Sequence, residues 1–208
     1  MKIFFDLDGT LIDVSEKYYR IYSDFALLKK IEYLTKEEYW SMKRAKKSNL
    51  DIFKNNDLAE EFKIFFTERI ESPTYLNLDI IFPFTIEVLE SLQANHQLSL
   101  MTLRHNRKEM EEEIKRFEIL PYFKEILSAA PPPFVGNNFE IKAEILSKKV
   151  NPEDTIVGDS KADIESGKRL GIRTIGVLSG VSNSDIMKKL EPDFIIPDIS
   201  KIEPCLKK

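Results

Sequence analysis

The sequence predicts a parallel α/β sheet with a helical domain inserted after its first strand. Two observations carry this. Short apolar runs of the kind buried in parallel sheets recur at Ile3-Phe5, Leu98-Met101, Ile126-Leu127, Thr155-Val157 and Thr174-Val177, with helical patterns between most of them. The exception is the stretch from Asp13 to about Phe82, which carries Leu, Phe and Tyr at helical spacing, many charges and no convincing strand run.

Taken in chain order, the first run ends in Asp6-Leu7-Asp8-Gly9-Thr10-Leu11. Strand alternation places the Asp6 and Asp8 carboxylates on one side and turns Leu7 toward apolar packing. Gly9 permits a turn that a Cβ would hinder, leaving main-chain N–H groups free to meet an anion. The following stretch is too long for an ordinary crossover and long enough to bury its own small core, with Leu27, Leu28 and Ile31 marking the apolar pattern. The expected division is therefore an α/β core of residues 1–14 and 83–208 and a helical cap of residues 15–82. The second strand leads into Thr102-Leu103-Arg104-His105-Asn106. Pro131-Pro132-Pro133 and Gly136-Asn137-Asn138 mark an exposed, partly stiff loop before a helix starting near Phe139, and Lys142 opens that helix. The strand at Thr155-Val157 runs into Gly158-Asp159-Ser160, and Asp163 follows four residues after Asp159.

Composition narrows the function. The balance of 31 Lys+Arg against 35 Asp+Glu, net charge −4, with no long block of one sign, argues against nucleic acid as a partner. The single cysteine, Cys205, forms no internal disulfide. The apolar run that follows Met1-Lys2 is too short for a signal peptide, and no run of about 20 apolar residues spans a bilayer, so a cytoplasmic protein that binds no membrane is expected.

Ligands of open parallel sheets sit beyond the carboxyl ends of the strands. Asp6, Asp8 and Asp159 all stand at such ends. Converging carboxylates are unfavourable unless a cation lies among them, and hard oxygen ligands with a face left for phosphate suit Mg²⁺. Each residue also has a plainer reading. Asp163 completes a Ser160-x-x-Asp163 capping box, Thr102 suits any strand end, and Lys142 is one of many lysines that lie solvated on helices.

The DLDGTL segment after an apolar strand, followed in order by Thr102, Lys142 and Gly158-Asp159-Ser160-Lys161-Ala162-Asp163, resembles the haloacid dehalogenase-like superfamily over most of the core. The resemblance implies a Rossmann-like core with a helical cap, and a phosphatase of the phosphoglycolate phosphatase type acting on a small phosphorylated metabolite. It makes Asp6 the nucleophile and Asp8 the general acid/base. Asp6, the Asp8 carbonyl and Asp159 would ligate Mg²⁺, with Asp163 supporting the metal's water shell or Lys142. Thr102 and Lys142 would hold the phosphoryl group, with Gly9, Thr10 and Leu103 beside them. Members often place Asn after the Ser/Thr of this segment, whereas here Leu103-Arg104 follows, so Arg104 either reaches a substrate anion or covers the rim.

Within the superfamily, Asp8 argues against dehalogenation, which needs no acid for the leaving group. A mutase would use a cap histidine, but the two histidines, His96 and His105, lie outside the cap. Phosphonate cleavage through a cap lysine stays open, as does a non-catalytic phospholigand-binding module. Lys43-Arg44-Ala45-Lys46-Lys47 either supplies cations to a second anionic group or forms a solvated helix face. A monomer and a dimer are equally compatible with the sequence.

Overall fold

The computed structural model describes residues 1–129 and 137–207. The loop expected at Pro131-Pro132-Pro133 and Gly136 lies outside the described residues.

The chain opens with β1 (Lys2–Phe5) and a short β2 (Ile12–Asp13). The inserted helices follow: α1 (Ser15–Lys29), α2 (Lys36–Arg44), α3 (Asn49–Phe53), α4 (Asn56–Arg69) and α5 (Pro73–Leu76). Next, β3 (Ile80–Ile81) pairs antiparallel with β2 and ties the two ends of the insertion together. The core then continues through α6 (Thr85–Gln93), β4 (Gln97–Thr102), α7 (Arg107–Arg116), β5 (Glu125–Ser128), α8 (Asn138–Leu146), β6 (Thr155–Gly158) and α9 (Lys161–Leu170). It ends with β7 (Arg173–Val177), α10 (Ser184–Leu190), β8 (Phe194–Ile196) and α11 (Glu203–Leu206).

The main sheet has the order β5-β4-β1-β6-β7-β8, parallel throughout. Every apolar run expected to form a strand lies in it. Three strands were not anticipated. Ile12 and Asp13 form the two-residue β2 directly after the Asp6–Leu11 segment. Ile80 and Ile81 form β3 inside a stretch read as strandless, and Phe194-Ile195-Ile196 forms β8 at the sheet edge, where exposure of Phe194 and Ile195 removes the buried-strand signal.

Helices cover both faces of the sheet, as parallel strands require. Along β1, Ile3 and Phe5 pack with Leu98, Leu100 and Val157 against Leu89, Leu92, Met110 and Ile114. Phe4 points the other way and meets Met101, Ile156 and Leu146. The cap has its own aromatic core, in which Ile21, Tyr22, Phe25, Tyr39 and Phe62 are buried, and Tyr22 stacks on Tyr39 with ring centroids 4.2 Å apart. Leu27 and Leu28, read from sequence as part of that apolar face, are instead exposed. The buried stripe of α1 runs through Ile21, Tyr22, Phe25 and Ala26, and the two leucines fall outside it. Among the described residues no helix is long and apolar enough to cross a membrane.

Register fixes the site. Phe5 lies opposite Leu100 on one side and Val157 on the other, and the Asp6 N–H donates to the Val157 carbonyl at 2.9 Å. The segments after β1, β4 and β6 therefore emerge together.

Truncating a well-packed core phenylalanine costs about 3–5 kcal/mol, whereas exposed positions usually change stability by less than about 0.5 kcal/mol. Urea denaturation of Phe62→Ala and Leu28→Ala should reproduce this contrast in the cap, and comparable losses from the two variants would contradict the packing.

Candidate active site

A cavity of about 780 Å³ lies between the strand ends and the cap. Asp6, Asp8, Thr102, Lys142 and Asp159 form its polar floor, and Tyr18, Phe66 and Ile70 of the cap form an apolar wall.

Lys142 does not open α8; it lies in the second turn of a helix that starts at Asn138 under an Asn137/Glu140 capping box. From there its buried ammonium donates to Asp6 Oδ1 at 2.8 Å and to Asp163 Oδ1 at 2.5 Å. The second Asp163 oxygen accepts from the Ser160 N–H at 3.0 Å and the Ser160 hydroxyl at 2.6 Å. Asp163 thus caps α9 and anchors Lys142 at once, from behind the cavity wall. Asp159 Oδ2 accepts from the Val181 N–H at 2.5 Å. A Cβ on either Gly9 or Gly180 would overlap the Asp159 carboxylate, so the close approach of these backbones to Asp159 requires glycine.

Oxygens of Asp6, Asp159 and Asp163 come within 4.8 Å of one another. Burial, joined by the charges of Asp163 and Asp159, raises the Asp6 carboxyl well above its ordinary value in spite of Lys142. Burial and the Asp163 charge push Asp159 up to about 7. Lys142 is raised as well: burial acts against its charge, but Asp163 and Asp6 outweigh it. One ammonium does not balance three buried carboxylates. Among the described residues, the second oxygens of Asp6 and Asp159 make no hydrogen bond. The donor set, all hard oxygens, fits a divalent cation.

Asp8 sits in a different network. The Arg104 Nε donates to Asp8 Oδ2 at 2.8 Å and Nη2 to Asp8 Oδ1 at 2.6 Å. Arg104 Nη1 donates to Glu113, and Nη2 also reaches Asp79 Oδ2 at 3.1 Å. Lys17 of the cap donates to Asp79 at 2.6 Å and to Asp8 at 3.3 Å. Burial works to raise the Asp8 carboxyl, but the charges and hydrogen bonds of Arg104 and Lys17 prevail and hold it below the usual carboxylate range.

Several expectations change. Arg104 is not a free anchor for a substrate anion, because its guanidinium is committed to three carboxylates. The Gly9 N–H is taken by the Ile12 carbonyl at 2.8 Å, and the Thr10 and Leu11 N–H groups donate to the Leu7 carbonyl, so the turn spends donors expected to face an anion. Gly9 and the fully buried Thr10 lie behind the cavity wall, while Leu103 lies on it. In the basic cluster, Arg44 donates to the Leu178 carbonyl at 2.7 Å and Lys43 lies over the Tyr18 and Phe66 rings. Lys46 is the member of that cluster on the cavity wall. Sequence reasoning missed Lys17, Asp79 and Glu113. Glu113 had a signal: it shares the buried stripe of α7 with Met110 and Ile114, where an acid needs a partner.

Clustered carboxylates and a buried lysine thus meet at the carboxyl ends of parallel strands, beneath the inserted helices. The sequence pattern of haloacid dehalogenase-like hydrolases matches residues 3–177, and the chain belongs to that family. It is 28% identical over 215 residues to the pyrophosphatase PpaX of Oceanobacillus iheyensis, covering 96% of this chain and 94% of that one. It is 30% identical over 213 residues to the phosphoglycolate phosphatase of Aquifex aeolicus, covering 93% and 91%. A haloacid dehalogenase-like family hydrolase from Streptococcus pneumoniae shares the fold with a TM-score of 0.79 at 20% identity, over 99% of this chain and 98% of that one.

Asp79 gives a pH prediction. Burial, with the charges of Asp8 and Glu113, pushes its carboxyl from an ordinary 3.8 up to about 8, against the pull of Lys17 and Arg104. Between those values the folded chain keeps a proton that the unfolded chain has lost, so this group makes the unfolding free energy fall as pH rises. Denaturation in chelator at pH 5 and pH 8 should give a shallower fall for Asp79→Asn than for wild type, and equal slopes would contradict the assignment.

Proposed function

We propose that the chain is a Mg²⁺-dependent phosphatase that takes a phosphoryl group from a small phosphorylated metabolite onto Asp6 and releases it to water. The observation that carries this reading is the Asp6 carboxylate on the cavity floor, held through one oxygen by Lys142 and with its second oxygen making no hydrogen bond among the described residues. Asp6, the Asp8 carbonyl and Asp159 would hold Mg²⁺, which when bound neutralises the clustered carboxylates and polarises the phosphoryl oxygens.

The chain's own residues account for the rest. Phosphoryl transfer depends on in-line positioning and on stabilising charge spread over the phosphoryl oxygens. Lys142 supplies positive charge beside the attacking oxygen. The Thr102 hydroxyl accepts from the Arg104 N–H at 3.3 Å, which leaves its own proton to donate to a phosphoryl oxygen. Asp8, which Arg104 and Lys17 keep ionised in spite of burial, accepts the proton of the attacking water. The cap roofs the cavity and excludes bulk water during the attack. Tyr18, Phe66 and Ile70 then face the leaving group, with Lys46 beside them for a second anionic group. The relatives named as a phosphoglycolate phosphatase and a pyrophosphatase support a small, highly charged substrate.

The test is phosphate release from a panel of small phosphate esters and pyrophosphate, with Mg²⁺ or with chelator. Release should require the metal and fall by roughly three orders of magnitude or more in Asp6→Asn, which removes the nucleophile and keeps its shape. Release that survives in Asp6→Asn, or none from any substrate, would overturn the reading. A cation that binds only the folded site stabilises it by mass action. Mg²⁺ should therefore raise the melting temperature of wild type and leave Asp159→Asn unchanged, and a metal-independent wild type would contradict the site.

A further inference from the structure

We propose that Arg104 is the positioning residue for Asp8, fixing that carboxylate for the water-attack half of the reaction through a frame made of Glu113, Asp79 and Lys17. This rests on the phosphatase reading above. Two N–H groups of one guanidinium meet both Asp8 oxygens, and such a fork sets the plane of a carboxylate as well as its place. The fork is itself immobilised. Its remaining contacts go to the buried side chains of Glu113 and Asp79, so swinging Arg104 toward a substrate would break its hydrogen bonds to both. Lys17 joins Asp79 to Asp8 from the cap side.

The Asp8 side chain keeps 27% of its surface, while those of Arg104, Lys17, Glu113 and Asp79 keep between 0 and 5%. The frame is therefore buried and its product, an oriented carboxylate, faces the cavity. Among the described residues Asp8 Oδ2 accepts a single N–H, which leaves it room for water. In the second half of the reaction the water oxygen bonds to phosphorus as the bond from phosphorus to the Asp6 oxygen breaks. Asp8 takes the proton from the water, Asp6 leaves as a carboxylate, and the product is inorganic phosphate. No other reactant is needed.

Pre-steady-state release of p-nitrophenolate from p-nitrophenyl phosphate tests the proposal, because this leaving group departs without a proton donor and reports the first half alone. In Arg104→Gln the first turnover should persist as a burst stoichiometric with enzyme, while kcat falls about 100-fold, the scale expected when a reacting group is misplaced by about 1 Å. KM should not rise. Arg104→Lys keeps the charge but not the fork and should recover only a part of the rate. Glu113→Gln, which leaves every group facing the cavity in place, should show the same burst with a smaller loss, and it carries the test alone if Arg104→Gln does not fold. A raised KM with unchanged kcat would make Arg104 a substrate anchor and overturn the proposal. Equal loss of burst and steady state in folded variants would reduce the frame to a structural one and also overturn it. Failure of the underlying reading looks different: Asp6→Asn would still turn over, or wild type would release no p-nitrophenolate.

Discussion

Carboxylates taken out of water must meet cations, and that requirement organises the carboxyl end of this sheet. Asp6, Asp8, Asp79, Glu113, Asp159 and Asp163 all stand there, with Lys17, Arg104 and Lys142 as their partners. The cost of desolvation is offset only where geometry is good and the remaining lone pairs find donors. On the Asp8 side two cations, Arg104 and Lys17, face three acids through direct contacts, and among the described residues Asp79 Oδ1 is left buried without a donor. The network falls further short around Asp6, Asp159 and Asp163, where, among the described residues, Lys142 is the one cation in ion-pair contact. A cation among these oxygens would relieve the imbalance.

The same charges join cap to core. Lys17 comes from the first helix of the cap, Asp79 from the segment just before β3, and Arg104 and Glu113 from the core. Further contacts run beside them: Glu71 accepts from the His105 and Asn106 N–H groups, Arg116 donates to the Leu76 carbonyl, and Arg44 grips the loop after β7. A cap placed by such contacts closes the cavity and, through Lys17, touches the network that holds Asp8. Cap position and the orientation of the Asp8 carboxylate are thereby linked in one set of ion pairs.

Much of this was legible in the sequence because local rules and the global fold agree. Apolar runs marked the main strands, the polar segments after β1, β4 and β6 line one cavity as expected, and the long helical stretch after Asp13 marked the inserted helices. What escaped depends on distant parts of the chain. Nothing local distinguishes Lys17 from the other lysines of the cap, since its burial is decided by Asp79, 62 residues away. Arg104 stayed ambiguous because its partners come from the loop after β1, from α7 and from the linker before β3. Leu27 and Leu28 misled because the cap core is built from aromatic rings, which set a different buried stripe on α1. The turn at Gly9 was expected, but its N–H is used inside the turn, a matter of hydrogen-bond accounting that spacing does not reveal.

The account centres on a covalent phosphoryl group at residue 6. Rapid acid quench during turnover followed by borohydride reduction converts an acyl phosphate to an alcohol, so the peptide carrying Asp6 should contain homoserine at that position, formed only when substrate is present. Reduction at any other carboxylate, or no reduced residue from an enzyme that is turning over, would contradict the account.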